Sequence, residues 1–167
     1  GIKPTEPAIG YGYIEQGDAI ECGGHKVVKF VEKPALALAE QLVAGGKHLW
    51  NSGMFLFDRD VIISECEKLA PDVASAVAGA VDNADKDLDF VRLNEDAFAQ
   101  SPDISIDYAI FEKTDKAAVV PSPFEWSDLG SWDAVWKVGA QDNEGNVSVG
   151  DVMLSETKNS LVYSETG

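Results

Sequence analysis

Cysteine and histidine are scarce in this sequence. Cys22 and Cys66 are its two thiols, no CxxC pair occurs, and His25 and His48 stand apart. A Cys/His metal cluster cannot be built from residues so scattered. The default reading of the thiols is two free, buried cysteines in a cytoplasmic protein. Long apolar runs are missing too: none approaches the roughly 20 residues of a bilayer-crossing helix, so no membrane partner is expected. The opening residues carry no basic segment followed by an apolar one, which removes a secretory signal from the expectation. An initiator Met is also absent, and Gly1-Ile2-Lys3-Pro4 reads as an interior cut, so a fragment of a longer protein is expected. Basic side chains are few, 13 against 29 acidic ones, for a formal charge of -16. Such a surface repels phosphate backbones, which argues against nucleic acid as a partner.

What is present fits one soluble domain with a real core: 167 residues, 45% of them apolar. Gly10 to Ile14 reads as the start of a strand, and Asp18 to Gly24 as a turn. Val27 to Glu32 (VVKFVE) is β-branched and aromatic between Gly24 and Pro34, and reads as a strand. Pro34 opens a predicted helix over Ala35 to Ala44, ended by Gly45-Gly46. Leu49 to Phe57 reads as a second strand interrupted by Asn51-Ser52-Gly53. Asp58 is placed to cap a helix with apolar positions Ile62, Ile63, Cys66 and Leu69, which Pro71 stops. Further helices are predicted over Asp72 to Val81, over Ser105 to Lys113 with Ser105 as its cap, and within Ser127 to Val138. Asp82 to Asp96 reads as a solvated acidic loop, and Ala117 to Val120 as a short strand. After Asn146, short strands and turns take over. Alternating strands and helices predict an α/β domain over residues 1–140, followed over 141–167 by the start of a β-rich extension.

Four segments place polar residues inside or at the ends of apolar strands: GYGY (10–13), VEKP (31–34), WNSG (50–53) and WSDLGSW (126–132). Ligands of open α/β sheets gather at strand ends. Each segment also has a structural explanation. The glycines suit a bulge, Glu32-Lys33 a helix entrance, Asn51-Ser52-Gly53 a turn, and Ser127 or Asp128 a helix cap. Composition does not choose between these readings. The four tryptophans are expected in the core, with Trp132 and Trp136 sharing a helix face. Tyr11 and Tyr13 point the same way along a strand.

In order and spacing, the stretches GIKPTEPAIGYGYIE, VVKFVEKP, WNSGMFLF, SIDYAIFEK, VVPSPFEWSDLGSW and DNEGNVSVGDV resemble the mannose-1-phosphate guanylyltransferases, within the sugar-phosphate nucleotidyltransferases. The resemblance runs from Gly1 to about Val152. It implies a Rossmann-like nucleotidyltransferase fold with a mixed central sheet and flanking helices. It further implies that the chain is the C-terminal, sugar-phosphate-binding half, since nothing matches the Gly-rich loop that holds the triphosphate in the other half. Gly10-Tyr11-Gly12 lacks the downstream helix and basic partner of such a loop. Carried over by position, the Gly12 amide and the Glu32 and Asn51 side chains would bind the sugar. Lys33 would hold its phosphate, and Asp128 would coordinate Mg²⁺. Ile9 departs from the Thr usual beside the GYG turn. The implied partners are mannose-1-phosphate and GTP, and a homo-oligomer is compatible with the reading. A different hexose-1-phosphate transferase, and a non-catalytic regulatory homologue, are the alternatives.

Overall fold

A computed structural model describes residues 1–165, apart from the side chain of Cys22. The chain divides into two compact units, Gly1–Phe124 and Glu125–Gly167. The division lies N-terminal to the boundary that composition suggests.

The first unit is organised on a four-stranded sheet in the order β3-β1-β2-β6, with β1 at Tyr13–Ala19, β2 at His25–Val31, β3 at His48–Trp50 and β6 at Ala118–Val119. All of these strands pair antiparallel. Ile2 adds isolated bridges outside these strands, antiparallel to Trp50 and parallel to Ser122, so the four-stranded sheet itself is antiparallel where a mixed one is expected. Side chains directly opposite one another share a face. Ile14 faces Phe30 on one side and Leu49 on the other, and these three form a buried cluster with Val119. Tyr13, Val31 and Trp50 stand at the next level, with Tyr13 fully buried and its hydroxyl donating to Ala8 O at 2.8 Å.

The expected α/β class holds, with local departures. Helix α1 runs Leu36–Gly45 with Ala35 at its N-cap, so Pro34 stands just outside the helix. Gly46 ends it at φ 67°, in the left-handed conformation that glycine adopts without steric cost. Strand β3 stops at Trp50, and the apolar run to Phe57 is not a strand. The backbone N–H of Asn51 makes a last bond to Gly12 O at 2.8 Å. The Asn51 side-chain carbonyl then accepts from Gly53 N–H at 3.0 Å, and this turn carries the chain off the sheet.

Asp58 caps helix α2 (Arg59–Leu69) as expected, accepting from the N–H groups of Asp60 and Val61. Ile62, Cys66 and Leu69 are half-buried, Ile63 is exposed, and the buried residue of this helix is Glu65. The Glu65 carboxylate accepts the Thr114 hydroxyl at 2.6 Å and lies 2.7 Å from the Lys116 ammonium. These partners hold it below the ordinary carboxylate range. Cys66 is free, and burial pushes its thiol up. Helix α2 stops at Leu69, just before Pro71 as expected, with Ala70 out of helical conformation, and Pro71 also opens α3 (Pro71–Asp82) at the first turn, where its missing N–H is harmless.

The stretch read as an acidic loop contains a hairpin, β4 (Asp85–Asp87) with β5 (Phe90–Arg92), followed by a short helix α4 (Glu95–Phe98) capped by Asn94. The hairpin is exposed along its length, so the solvated part of the expectation stands. The helix expected over Ser105 to Lys113 is a single π-helical turn at Asp107–Phe111. Phe111 stacks on Phe55 with ring centres 4.3 Å apart and packs against the core cluster.

In the second unit, helix α5 (Trp132–Val138) is followed by β7 (Val147–Val149) and β8 (Leu161–Tyr163), which pair in parallel. Buried Asn146 joins the turns before these strands, donating to Thr157 O at 2.8 Å and accepting from Ser160 N–H at 3.2 Å.

Candidate sugar-phosphate site

The strand register assembles the site. Tyr13 is opposite both Val31 and Trp50, so the residues one step beyond the ladder, Gly12, Glu32 and Asn51, meet side by side. Gly12 is in the middle, and its missing side chain creates the space. A Cβ there would lie 2.5 Å from Glu32 Oε2, 3.2 Å from Asn51 Cβ and 3.2 Å from the Phe30 ring. A side chain at this position would push the Glu32 carboxylate aside and crowd Asn51 and Phe30.

Glu32 is 7% exposed at its side chain. Its Oε1 accepts from Lys33 Nζ at 2.8 Å, while Oε2 is buried with no hydrogen-bond partner. A buried oxygen left unpaired costs free energy unless something arrives to donate to it. Lys33 itself has φ 43°, an uncommon conformation for a residue with a side chain. Its side chain is 64% exposed, and its ammonium is bonded to Glu32. The hydrogen bond to Glu32 and that residue's charge raise the Lys33 pKa, with smaller contributions from Tyr108 and Asp107.

Asn51 has its amide fixed at both ends. Its Oδ1 accepts from Gly53, and its Nδ2 donates to Asp107 Oδ1 at 3.0 Å. Burial, then the charge of Glu32, pushes the Asp107 carboxyl up; the Asn51 donor and Lys33 oppose the shift. An apolar recess of about 430 Å³ adjoins Asn51, lined in part by Phe30, Phe55, Phe111 and Val119.

Of the residues that the sequence singled out, Gly12, Glu32, Lys33 and Asn51 therefore come together. Asp107 joins them and was missed, although it carries the same signal: a carboxylate within an apolar segment.

Asp128 belongs to the second unit. Its Oδ1 accepts from Gly130 N–H at 3.2 Å, around a left-handed Leu129 at φ 50°. It does not cap α5. Ser131 does, accepting from Ala134 N–H at 3.2 Å. Trp132, expected in the core, is 74% exposed, whereas Trp50 is buried and Trp136 is tied to Gly145 O at 2.8 Å. Among the described residues, no three His, Cys, Asp or Glu side chains are grouped to hold a metal ion. No helix among them is long and apolar enough to cross a membrane.

A strand-end cluster of carboxylate, lysine and amide around a glycine offers hydrogen-bond acceptors and donors and one cation to a polar ligand. The family model for nucleotidyl transferases matches residues 1–145, and the chain belongs to that family. It is 57% identical over 166 residues to a mannose-1-phosphate guanylyltransferase of Sinorhizobium fredii, covering 99% of this chain and 32% of the relative. It is 46% identical over 171 residues to the mannose-1-phosphate guanylyltransferase ManC of Salmonella typhimurium, covering 100% of this chain and 36% of that protein. In structure it is similar to a Thermus thermophilus protein described as a mannose-1-phosphate geranyltransferase, with TM-score 0.74 and 29% identity over 98% of this chain and 49% of the other. The chain thus spans about a third of the length of these curated relatives, within their N-terminal portion and not the C-terminal half expected from the sequence.

Proposed function

We propose that the protein containing this chain transfers GMP from GTP to mannose-1-phosphate, giving GDP-mannose and pyrophosphate, in the cytoplasm. In this reading the chain supplies the sugar-phosphate-binding part of the transferase. The observation that carries it is the unpartnered, buried Oε2 of Glu32, facing Gly12 and next to a lysine. A carboxylate oxygen in that state accepts a sugar hydroxyl, and the adjoining ammonium holds a phosphate. The names of the relatives support mannose and guanylyl as the specific choices.

In the reaction, an oxygen of the sugar's phosphate attacks the α-phosphorus of GTP. The bond from that phosphorus to the β-phosphate's bridging oxygen breaks, and pyrophosphate leaves with the electron pair. Little covalent work falls to the protein; positioning and charge neutralisation dominate. The Gly12 amide, Glu32 and Asn51 orient the sugar, and Lys33 aligns its phosphate. A divalent metal, Mg²⁺ in this reading, would be held in part by Asp128 and would supply positive charge to phosphate oxygens. One carboxylate suits such an ion, which keeps waters and takes phosphate oxygens as its other ligands.

Steady-state kinetics of the full-length protein tests this. Lys33→Ala should raise KM for mannose-1-phosphate about tenfold or more, as expected for a lost charge-assisted contact, and leave KM for GTP unchanged. A loss confined to GTP would overturn the assignment.

A further inference from the structure

Asp107 has no role in the reading so far, although it touches the site. Its Oδ1 accepts from Asn51 Nδ2 at 3.0 Å, while Gly53 N–H donates to Asn51 Oδ1 at 3.0 Å. A side-chain amide can face two ways, and only its partners choose. Here a donor stands at one end and an acceptor at the other, so they fix a single orientation. What remains for a ligand is the second Nδ2 hydrogen and the second lone pair of Oδ1.

The placement of Asp107 has a cost. Burial and the nearby Glu32 both oppose its charge. Asp107 also starts a π-helical turn, closed by Glu112 N–H donating to Asp107 O at 2.9 Å, and such turns are rare and frequent at functional sites. A carboxylate kept at a cost, on an unusual turn, against the amide of a binding residue is hard to explain as a surface tie.

We propose that Asp107 is a positioning residue of the sugar site: it locks the Asn51 amide in the orientation that meets the sugar hydroxyls. This rests on the sugar-binding reading of Asn51 given above. Asp107 acts through Asn51, so its effect should vanish once the amide is gone.

The test is a double-mutant cycle in the full-length protein, reading KM for mannose-1-phosphate, KM for GTP, kcat and Tm. Asp107→Ala should raise KM for the sugar phosphate about tenfold and leave KM for GTP alone. Asp107→Asn keeps a neutral acceptor and should raise it only about threefold. In an Asn51→Ala background, neither change should add anything. Fold-changes that multiply across the two sites would overturn the proposal, as would an Asp107→Ala variant with a lower Tm and unchanged KM. If Asp107→Ala does not fold, Asp107→Asn in the two backgrounds decides alone. If Asn51→Ala leaves KM for the sugar phosphate unchanged, the sugar-binding reading of Asn51 itself is wrong, and the proposal falls with it.

Discussion

Glu32 and Glu65 make an instructive pair. Both side chains are nearly sealed from solvent, at 7% and 4% exposure, and each lies beside a lysine, at 2.8 and 2.7 Å. They differ in the second oxygen. Each Glu65 oxygen has a close partner: the Lys116 ammonium lies 2.7 Å from Oε1, which is buried without an aligned hydrogen bond, and the Thr114 hydroxyl donates to Oε2. Glu32 gives one to Lys33 and keeps the other buried and unpaired above Gly12. A carboxylate that serves the fold is completed by the fold. An oxygen with no donor and no neighbouring cation, as at Glu32, is open to a donor from a ligand. Burial and a lysine partner alone do not separate these cases.

The largest expected effect breaks the Glu32 side of the comparison by filling its space. Gly12→Ala forces the buried Glu32 oxygen away and crowds Asn51 and Phe30. If Glu32 and Asn51 bind the sugar as proposed, both are displaced at once, and KM for mannose-1-phosphate should rise roughly a hundredfold in the full-length protein. A near-normal KM would mean that the crevice above Gly12 holds no substrate.

Glu65→Gln should do the reverse, lowering Tm by several degrees with both KM values unchanged. Its pH dependence has a definite sign. The folded state holds the Glu65 carboxyl below its ordinary range, so its ionised form adds stability above the unfolded value. That contribution disappears as pH falls through the depressed folded value. Thermal melts of both proteins from neutral to acid pH should therefore converge; a gap that stays constant would remove the ion pair as its source.

Asp107→Asn should show the smallest effect on stability, with the opposite sign. Burial and Glu32 raise this carboxyl, so ionising it costs stability above the ordinary aspartate range. Glu32, Lys33 and the Asn51 amide are the groups set against it. The Asn variant should melt at the same temperature as the parent or slightly higher at neutral pH, and the difference should fade on acidification. A clear drop in Tm at neutral pH would show that the charge supports the fold.

Much of the scaffold was legible because local chemistry decides it. Asp58 caps a helix, Gly46 ends one, and the Val27 stretch forms a strand, all through contacts within a few residues. Misreadings arose where distant partners decide. The apolar run from Met54 to Phe57 looks like a strand, but the Asn51 turn takes it off the sheet, and Phe55 finds Phe111. The charged stretch after Asp82 hides a hairpin because its alternation is weak and both faces meet water. Glu65 sits at the buried position of α2, a place where periodicity expects an apolar residue; its partners lie at Thr114 and Lys116. In the site, the strand ends marked the segments 10–13, 31–34 and 50–53, and the family resemblance picked Gly12, Glu32, Lys33 and Asn51 from them. Asp107 was passed over because its link to Asn51 spans 56 residues of sequence.

The central claim is that the unpaired oxygen of Glu32 receives a sugar hydroxyl. Glu32→Gln tests it most directly, because the amide keeps the shape of the carboxylate and removes its charge. Titrating full-length parent and variant with mannose-1-phosphate by calorimetry gives the affinity without the chemical step. The account predicts that the variant binds mannose-1-phosphate about tenfold more weakly, as expected for a hydrogen bond to a charged acceptor, while GTP affinity stays the same. Equal affinity of the two proteins for mannose-1-phosphate, with normal melting, would contradict it.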